Sequence, residues 1–289
     1  MSEAQESKLK SQLRAVAEEQ NRTINDVWKQ LVLERFLARL SQSPHRQHLI
    51  FKGALLLARY IAIGRETSDA DFLLRALKGN EESMKKATLE ISAIDLSDGF
   101  LFSFKSMEIL DQPHMEYPGY RIFLSAVFGK MRDTIGLDIG IGDPVEPKAI
   151  PIKLLRMKDK SIFESEIILI AYPPETILSE KLESIFRRGG TTSRMKDFHD
   201  AIMLFRNGQL FEKDRFQMAV KTTFDHRGTA FNPPLTYDAK ELLVLQTRWE
   251  AHLRGLAKKP TRPVLPDNFL EVVEELNKFL LQISEKEKS

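Results

Sequence analysis

The sequence predicts an α/β (α+β) fold in which a mixed β-sheet with flanking helices precedes a mostly helical C-terminal lobe. Two observations carry this prediction. Apolar and polar residues alternate over residues 99–143, as in strands, whereas apolar residues recur at helical spacing over most of residues 174–284. We therefore expect an α/β domain over residues 1–172, with helices at its start, and a helical domain over residues 173–289.

The first elements of the α/β domain are predicted to be helices. Residues 7–41 carry apolar side chains at helical spacing, interrupted at residues 21–25, where Thr23 or Asn25 is suited to cap the second helix. The elements expected next are a loop over residues 41–45, a strand over 48–51, a turn at Lys52-Gly53 and a short helix over 54–61.

The later elements follow from the same two periodicities. A loop over residues 64–67 leads to a strand that begins Ser68-Asp69-Ala70-Asp71-Phe72. Turn residues at 111–119 and around 130–134 divide the alternating region into strands. The other predicted elements are a helix over 80–95, strands over 150–155 and 166–171, helices over 174–188, 194–206, 211–221, 238–257 and 267–284, and loops at 233–234 and 258–266.

Composition excludes several classes of site and partner. The chain of 289 residues has no cysteine, which excludes disulfides, thiolate metal sites and cysteine nucleophiles and fits a reducing cytoplasm. There is no run of about 18 apolar residues and no apolar N-terminal segment, so we expect no membrane span and a cytoplasmic location. The net charge of +2 is too small to identify a nucleic-acid binder, which would need a local basic patch.

Two aspartates are the most informative residues of the chain. In an extended strand, Asp69 and Asp71 point to one face while Ala70 and Phe72 point to the other. Two carboxylates on one face repel each other unless a positive charge lies between them, and Mg²⁺ with substrate phosphates supplies such a charge. The pair predicts a Mg²⁺ site, although a solvated acidic strand end explains an isolated Asp-x-Asp equally well.

A third carboxylate lies on a later predicted strand. Asp138 stands between Gly136 and Gly140, and these glycines are expected to leave space above it for a phosphate or metal. If this strand lies beside the first, three carboxylates converge, as two-metal nucleotidyl transfer requires. Asp143, beyond the strand end, is the reserve ligand, and a turn-capping role is its alternative.

Three further features of the sequence could contribute to a site: a glycine turn, a lysine and a late pair of aspartates. Gly53 lies between a strand and a helix, where backbone N–H groups can face an anion, although a tight turn explains it as well. Lys181 lies beside the inner face of its predicted helix, and a solvated partner of neighbouring glutamates is the alternative. Asp197 and Asp200 near a helix N-terminus are also ordinary dipole-favoured residues.

In this order, the motifs resemble those of the AbiEii-type nucleotidyltransferase toxin family, relatives of the MenT toxins within the DNA polymerase β-like superfamily. The motifs that carry the resemblance are Phe51-Lys52-Gly53, Ser68-Asp69-Ala70-Asp71-Phe72, residues 137–143, Pro174 to Leu182, and Ser193-Arg194-Met195-Lys196-Asp197-Phe198-His199-Asp200. The similarity spans roughly residues 25–205.

The resemblance implies a polymerase β-like core and a helical domain that completes the active site. It implies Mg²⁺-dependent transfer of a nucleoside monophosphate from an NTP to an acceptor, often the tRNA 3′ end, by a toxin with a cognate antitoxin. It also implies residue roles: metal binding by Asp69 and Asp71, triphosphate contact by Lys181, an essential Asp197 flanked by Arg194 and Lys196, and phosphate or metal positioning by Ser68.

One position departs from the family pattern. The family's turn reads Gly-Gly or Gly-Ser, often followed by Thr, whereas this chain has Gly53-Ala54-Leu55 and lacks the hydroxyl. A degenerate, non-catalytic nucleotide-binding protein is therefore an alternative, as is a transferase that modifies a protein or a small molecule. An Asp-x-Asp glycosyltransferase is a weaker one, because it would not explain Lys181 or the Arg194–Asp197 run.

An RNA acceptor would need a cationic wall, and two groups of basic residues could provide it through phosphate contacts. A solvated surface explains each group equally well. The first group comprises Arg187, Arg188, Arg194, Lys196 and Arg206, and the second comprises Lys153, Arg156, Lys158 and Lys160.

Overall fold

This computed structural model describes residues 2–65, 67, 69–76, 79–110, 118–256 and 263–284. The described part of the chain begins with two helices. Helix α1 spans Glu3–Glu19 and helix α2 spans Ile24–Gln42. The Thr23 hydroxyl accepts a hydrogen bond from the backbone N–H of Asp26. Thr23, and not Asn25, is therefore the N-cap of α2.

Seven strands form one mixed sheet, and a separate two-stranded ribbon accompanies it. The strands are β1 (Leu49–Lys52), β2 (Asp69–Leu74), β3 (Leu101–Leu110), β4 (Gly119–Phe128), β5 (Met131–Ile141), β6 (Lys148–Lys153), β7 (Arg156–Met157), β8 (Lys160–Ser161) and β9 (Glu166–Ala171). The sheet order is β3-β4-β5-β2-β1-β9-β6, with β7 and β8 in the ribbon. The pairs β2–β5 and β1–β9 are parallel, and the other pairs are antiparallel.

Helix α2 packs on the sheet at β5 and β9. Most of it is buried, including the charged side chains of Arg35 and Arg39. Both guanidinium groups donate to the carboxylate of Asp98, which satisfies charges that would otherwise be costly to bury. Two shorter helices complete this part: α3 (Gly53–Tyr60) and α4 (Glu81–Ser92).

The rest of the chain is helical. Its helices are α5 (Pro174–Arg188), α6 (Met195–Arg206), α7 (Lys213–His226), α8 (Ala239–Leu256) and α9 (Phe269–Ser284). Helix α5 packs against α6 and α7, and helix α9 packs against α6 and α8. Phe198, Phe205 and Trp249 are among the aromatic side chains buried in their core.

The chain is divided into two compact units. The α/β unit comprises Met1–Arg59 and Glu66–Tyr172, and the helical unit comprises Tyr60–Arg65 and Pro173–Ser289. The sequence predicts that residues 60–65 belong to the first domain, whereas in the structure they pack with the helical unit. Arg65 explains part of this difference, because its guanidinium binds Asp200 of helix α6.

The predicted mixed α/β fold with a mostly helical C-terminal part is confirmed. The turn predicted around residues 130–134 is wrong: the chain turns at Gly129-Lys130, and strand β5 already begins at Met131. The buried carboxylate of Glu6 accepts from the backbone N–H of Lys130 and fixes this turn, a long-range contact that local patterns do not reveal. The predicted turn at 111–119 and loop at 258–266 lie largely outside the described residues.

Helix α2 also extends to Gln42, so the loop predicted from residue 41 starts later, at Ser43. None of the helices in the described part of the chain combines the length and the apolar character that a bilayer crossing requires.

Candidate active site

Strand β2 presents Asp69 and Asp71 on the same face of the sheet. Ala70 and Phe72, which alternate with them, are fully buried, while the two aspartates are partly exposed. This confirms the alternation that the sequence predicts. The parallel register with β5 places Asp71 opposite Asp138 and Asp69 opposite Gly136. The strand of Asp138 therefore lies directly beside the strand of the first two carboxylates.

Two glycines make room for these carboxylates. Gly53 has φ +75°, and a Cβ atom built on it would lie 2.0 Å from Oδ2 of Asp71. A Cβ atom on Gly136 would lie 2.8 Å from Oδ1 of Asp69. Gly53 is therefore required both by its backbone conformation and by the close approach of Asp71. The carboxylate of Asp69 thus lies over Gly136, one of the two glycines that flank Asp138.

Asp138 is bound by an arginine from the neighbouring strand. Arg121 of β4 lies opposite Asp138 and donates from Nε to Oδ1 (2.7 Å) and from Nη2 to Oδ2 (2.5 Å). These hydrogen bonds raise the pKa of the Arg121 guanidinium above its usual value, and the charge of Asp69 adds to the effect. Both oxygens of Asp138 thus accept from a fixed cation.

Asp143, beyond the end of β5, contacts a lysine from the strand that precedes Gly53. Lys52 Nζ lies 3.3 Å from Oδ2 of Asp143 and 3.4 Å from the hydroxyl of the buried Tyr172. The ammonium also lies 4.9 Å from the centre of the Tyr172 ring, within the range of a cation–π contact. In the antiparallel register Lys52 is the partner of Asp71, so a fixed positive charge lies beside the aspartate pair.

The carboxylates of β2 suit a hard divalent cation. Mg²⁺ prefers oxygen ligands and commonly takes one or two carboxylates from the protein and the remaining ligands from phosphates and water. Asp69 and Asp71 supply two such groups on one face. No group of three or more His, Cys, Asp or Glu side chains suited to a metal ion occurs among the residues that the structure describes.

In the helical unit, a buried aspartate binds two cations. Lys181 Nζ of helix α5 lies 2.5 Å from Oδ2 of Asp200, and Arg65 donates to both oxygens of Asp200 at 2.8 Å and 2.6 Å. Asp200 is fully buried, and its two partners are nearly so. Burial raises the pKa of Asp200, but the charges of Lys181 and Arg65 outweigh burial and hold that pKa well below its usual value.

Asp197 lies in the same network. It is 3.5 Å from Lys181 Nζ, and its Oδ2 accepts hydrogen bonds from Ser184 Oγ (3.0 Å) and Arg194 Nε (2.7 Å). Lys196, between Arg194 and Asp197, is exposed on the first turn of α6. Lys181, Arg194 and Asp197 are therefore brought together as the motif suggested.

Two histidines adjoin this network. His199 Nε2 lies 2.7 Å from the carbonyl oxygen of Ile63, and His199 Nδ1 lies 2.9 Å from His252 Nε2. Because the carbonyl can only accept, Nε2 of His199 carries the proton and Nδ1 accepts from His252. Burial lowers the pKa of both rings, and the neighbouring His199 helps to lower that of His252 to about 4.

The sequence alone did not point to Arg121, Lys52 or Arg65, and for Asp200 it offered, outside the family motif, only the role of an ordinary acid near a helix N-terminus. One signal was present for Arg121. If the hairpin turn is placed at Gly129-Lys130, the antiparallel register of the two strands puts Arg121 opposite Asp138. Arg65 and Asp200 are far apart in the chain, and no spacing predicts their pairing. Ser68, the remaining candidate, lies outside the described residues.

Comparison with known proteins identifies the family. The sequence profile of the AbiEii nucleotidyl transferase toxins of type IV toxin–antitoxin systems matches residues 35–275. This match extends into the C-terminal helices, well beyond residue 205, where the resemblance of the motifs was expected to end. No curated protein matches the chain.

Solved structures with a similar fold share little sequence with this chain. A candidate nucleotidyltransferase from H. pylori has 15% identity and a TM-score of 0.49, covering 91% of this chain and 96% of its own. JHP933 from Helicobacter pylori has 14% identity and a TM-score of 0.49, covering 91% and 94%. An antigenic nucleotidyltransferase-like protein from Paracoccidioides brasiliensis has 14% identity and a TM-score of 0.36, covering 68% and 89%. On the family match, which spans most of the sequence, the chain belongs to the AbiEii nucleotidyltransferase toxin family and is a nucleotidyltransferase.

Proposed function

We propose that this nucleotidyltransferase transfers a nucleoside monophosphate from an NTP to the 3′ end of a tRNA, depends on Mg²⁺, and acts as the toxin of a toxin–antitoxin or abortive-infection system. The observation that carries the proposal is the pair Asp69 and Asp71 on one face of β2, with Gly53 against Asp71. Membership of a type IV toxin family implies a nucleotide substrate and an antitoxin partner.

In the proposed reaction, a hydroxyl of the acceptor attacks the α-phosphorus of the NTP. A bond forms between the acceptor oxygen and phosphorus, the bond between the α-phosphorus and the bridging oxygen breaks, and pyrophosphate leaves with that oxygen. Asp69 and Asp71 would hold Mg²⁺, which when bound neutralises charge on the phosphates. Lys181 is proposed to contact the triphosphate and to stabilise the charge that develops on pyrophosphate.

The other carboxylates have more restricted roles in this proposal. Asp138 is proposed to bind a second metal or to accept the proton of the attacking hydroxyl, through the oxygen lone pairs that its two hydrogen bonds from Arg121 do not occupy. Asp143, whose Oδ2 lies 3.3 Å from Lys52 Nζ, is the reserve ligand. Asp197 is proposed as an essential residue through its contacts with Lys181 and Arg194.

Gly53 and its following backbone N–H groups, together with Ser68, are proposed to contact phosphate. Ala54 replaces the hydroxyl residue that the family pattern has in this turn, but backbone donors do not depend on the side chain. Arg194 and Lys196 are proposed as additional phosphate contacts. Arg194 is more than half exposed even though its Nε binds Asp197, so its charge is accessible to a ligand.

The basic residues that could contact an RNA acceptor differ in their exposure and in whether a glutamate binds them. Arg206 binds Glu275, and Arg187 binds Glu183. Arg188, at the end of α5, is exposed, and partial burial together with the charges of Arg187 and Arg194 lowers its pKa. Because the positive charges of Arg187, Arg188 and Arg194 repel one another, an anionic phosphate bound beside Arg188 would be favoured. We therefore propose Arg188 as the main RNA contact of this group.

The test is a labelling experiment. The purified protein is incubated with each α-labelled NTP, Mg²⁺ and total tRNA, and the products are separated on denaturing gels. We expect label on tRNA, none with the Asp69→Ala or Asp71→Ala protein, and growth arrest on expression of the wild type alone. Label on protein instead of RNA would assign a protein acceptor. Absence of label on any acceptor, with wild type and Asp69→Ala equally harmless to cells, would refute the proposed function.

A further inference from the structure

We propose that Asp200 is a positioning residue that keeps the ammonium group of Lys181 protonated and fixed, with Arg65 holding Asp200 in place. The inference rests on the proposed function, in which Lys181 binds the triphosphate. It assigns supporting roles to Asp200 and Arg65, and neither residue contacts the reacting atoms in the proposed reaction.

The carboxylate of Asp200 binds both cations of this cluster. Asp200 makes three short polar contacts, one with Lys181 and two with Arg65, and all lie between 2.5 and 2.8 Å. The bidentate contact with Arg65 fixes the plane of the carboxylate. With both oxygens directed by Arg65, the position that Lys181 can occupy on Oδ2 is fixed as well.

The three charged groups of this cluster are buried or nearly so, and burying charge is costly. Asp200 is fully buried, and the side chains of Arg65 and Lys181 are only 7% and 12% exposed. Two cations in such surroundings are stable only with a counter-charge. Arginine stays charged under all working conditions, whereas a lysine that loses its counter-charge can give up its proton. A neutral lysine would have no charge to offer to a triphosphate.

The other neighbours of Lys181 do not replace Asp200. Asp197 is the second carboxylate near Lys181, but it lies 3.5 Å away and is itself bound by Arg194 and Ser184. The remaining titratable groups that face the cluster are His199 on α6 and His252 on α8, whose lowered pKa values keep both rings neutral at neutral pH. Among the described residues, the charged or titratable groups that interact with Asp200 or with its neighbours include Arg65, Lys181, Arg194, Lys196, Asp197, His199 and His252.

The test compares the binding of inorganic tripolyphosphate, a probe without a base, at several pH values. Affinity is measured by calorimetry with excess Mg²⁺ from about pH 6.5 to about pH 9 at constant ionic strength. For Asp200→Asn we expect affinity relative to wild type to fall as pH rises, by up to about tenfold per pH unit for a single proton. The double variant Lys181→Arg/Asp200→Asn, whatever its absolute affinity, should show the pH dependence of wild type again, because arginine keeps its proton.

Glu183→Gln is the matched control. Glu183 is also a fully buried carboxylate of the helical unit that binds two arginines, Arg187 and Arg227. Its variant removes a similar charge without touching Lys181, and tripolyphosphate affinity should follow wild type at each pH. A purely structural role of Asp200 would make the two variants alike.

A pH profile of Asp200→Asn that follows wild type would overturn the inference while leaving the proposed function intact. A wild-type protein that binds no tripolyphosphate and labels no acceptor would overturn both. If Asp200→Asn does not fold, the wild type itself provides the test through its lysine ¹⁵N–¹H signals. We expect a slowly exchanging NH₃⁺ signal that disappears in Lys181→Arg. A Lys181 signal that exchanges as fast as those of the exposed lysines would overturn the inference.

Discussion

Gly53 is the residue whose requirement follows most directly from geometry. Alanine here would adopt φ +75° and place its Cβ 2.0 Å from Oδ2 of Asp71. We expect Gly53→Ala to lower the free energy of unfolding by about 1–2 kcal/mol or more from backbone strain alone. It should also abolish transfer, because Asp71 must move. Denaturant unfolding and the labelling assay measure the two effects.

Gly208→Ala is the control for Gly53→Ala. A Cβ atom on Gly208 meets nothing within 4 Å. This variant should keep both its stability and its activity. A Gly53→Ala protein that is as active as Gly208→Ala would show that the position of Asp71 is not critical.

The aspartate pair makes a separate prediction about metal binding. Asp71→Asn removes one of two proposed carboxylate ligands, and we expect the affinity for Mn²⁺, measured by electron paramagnetic resonance, to fall by about 10–100-fold or more. Asp133→Asn, a change on strand β5 away from the pair, should bind Mn²⁺ like wild type. Equal affinity of both variants and wild type would remove Asp71 from the metal site.

The candidate residues that sequence predicted are those that local spacing can identify. Asp69 and Asp71 share a face because alternation along one strand dictates it, and Gly53 was found from its place between a strand and a helix. The partners Lys52 and Arg65 were not found. Their contacts, with Asp143 and Asp200, join residues that are far apart in the chain, and such contacts depend on the packing of whole elements.

At the scale of elements, the pair His199–His252 links helices α6 and α8. Burial holds the pKa of His252 at about 4 in the folded protein, below its ordinary value of 6.5. As pH falls below about 6.5 the unfolded chain takes up protons first, so the free energy of unfolding should decrease between about pH 6.5 and about pH 4. The loss should be smaller than the full shift implies, because His252 is only partly buried.

His252→Gln tests this link. Glutamine keeps an N–H donor for His199 but does not titrate in this range. We expect the stability of the variant, from urea unfolding at several pH values, to fall less steeply with acid than that of wild type. Identical slopes in the two proteins would show that His252 does not control the acid response of the helical unit.

The end of helix α5 carries the prediction about RNA. Arg188→Ala should weaken binding of tRNA and reduce the slope of log affinity against log salt by about 1, because one phosphate contact is lost. Folding stability should not decrease, since Arg187 and Arg194 repel Arg188 in the folded protein. Filter binding over a salt series measures the slope.

Arg254→Ala is the control for Arg188→Ala. Arg254 is an arginine of α8 that is 71% exposed and has a 3.9 Å contact with Glu250. Its loss should leave the salt slope unchanged. If both variants retain the wild-type slope, Arg188 makes no phosphate contact.

Helices and strands were predicted well where a single apolar periodicity runs through the element. They were predicted less well where contacts with distant residues set the ends of the element. Helix α5 was predicted with its observed bounds, because Pro173 and Pro174 mark its start and Gly189 its end. The start of β5 was misplaced, because Glu6 of a distant helix fixes the preceding turn. The close approach of Asp69 to Gly136 could not be predicted either, because the two residues lie on different strands.

At the scale of the whole molecule, the order of the motifs carried the family assignment. Asp-x-Asp, a glycine turn or a lone lysine each fit several kinds of protein. Their succession along one chain, from Gly53 to Asp200, fits one family, and the match over residues 35–275 confirms it. The identity of the nucleotide cannot be predicted in this way, because side chains that surround a base have no fixed spacing in the sequence.

Thermal unfolding of the whole chain offers a route to that nucleotide. A ligand that binds only the folded protein at about 100 times its Kd adds about 2.7 kcal/mol of stability, which for a chain of this length raises Tm by about 4 °C. Each of the four NTPs is tested with Mg²⁺, and we expect one to raise Tm more than the others. Asp71→Asn should lose the increase that depends on Mg²⁺, whereas Asp133→Asn should retain it. Equal shifts for all four NTPs would mean that the protein recognises the triphosphate alone, and base selection would then have to come from the acceptor.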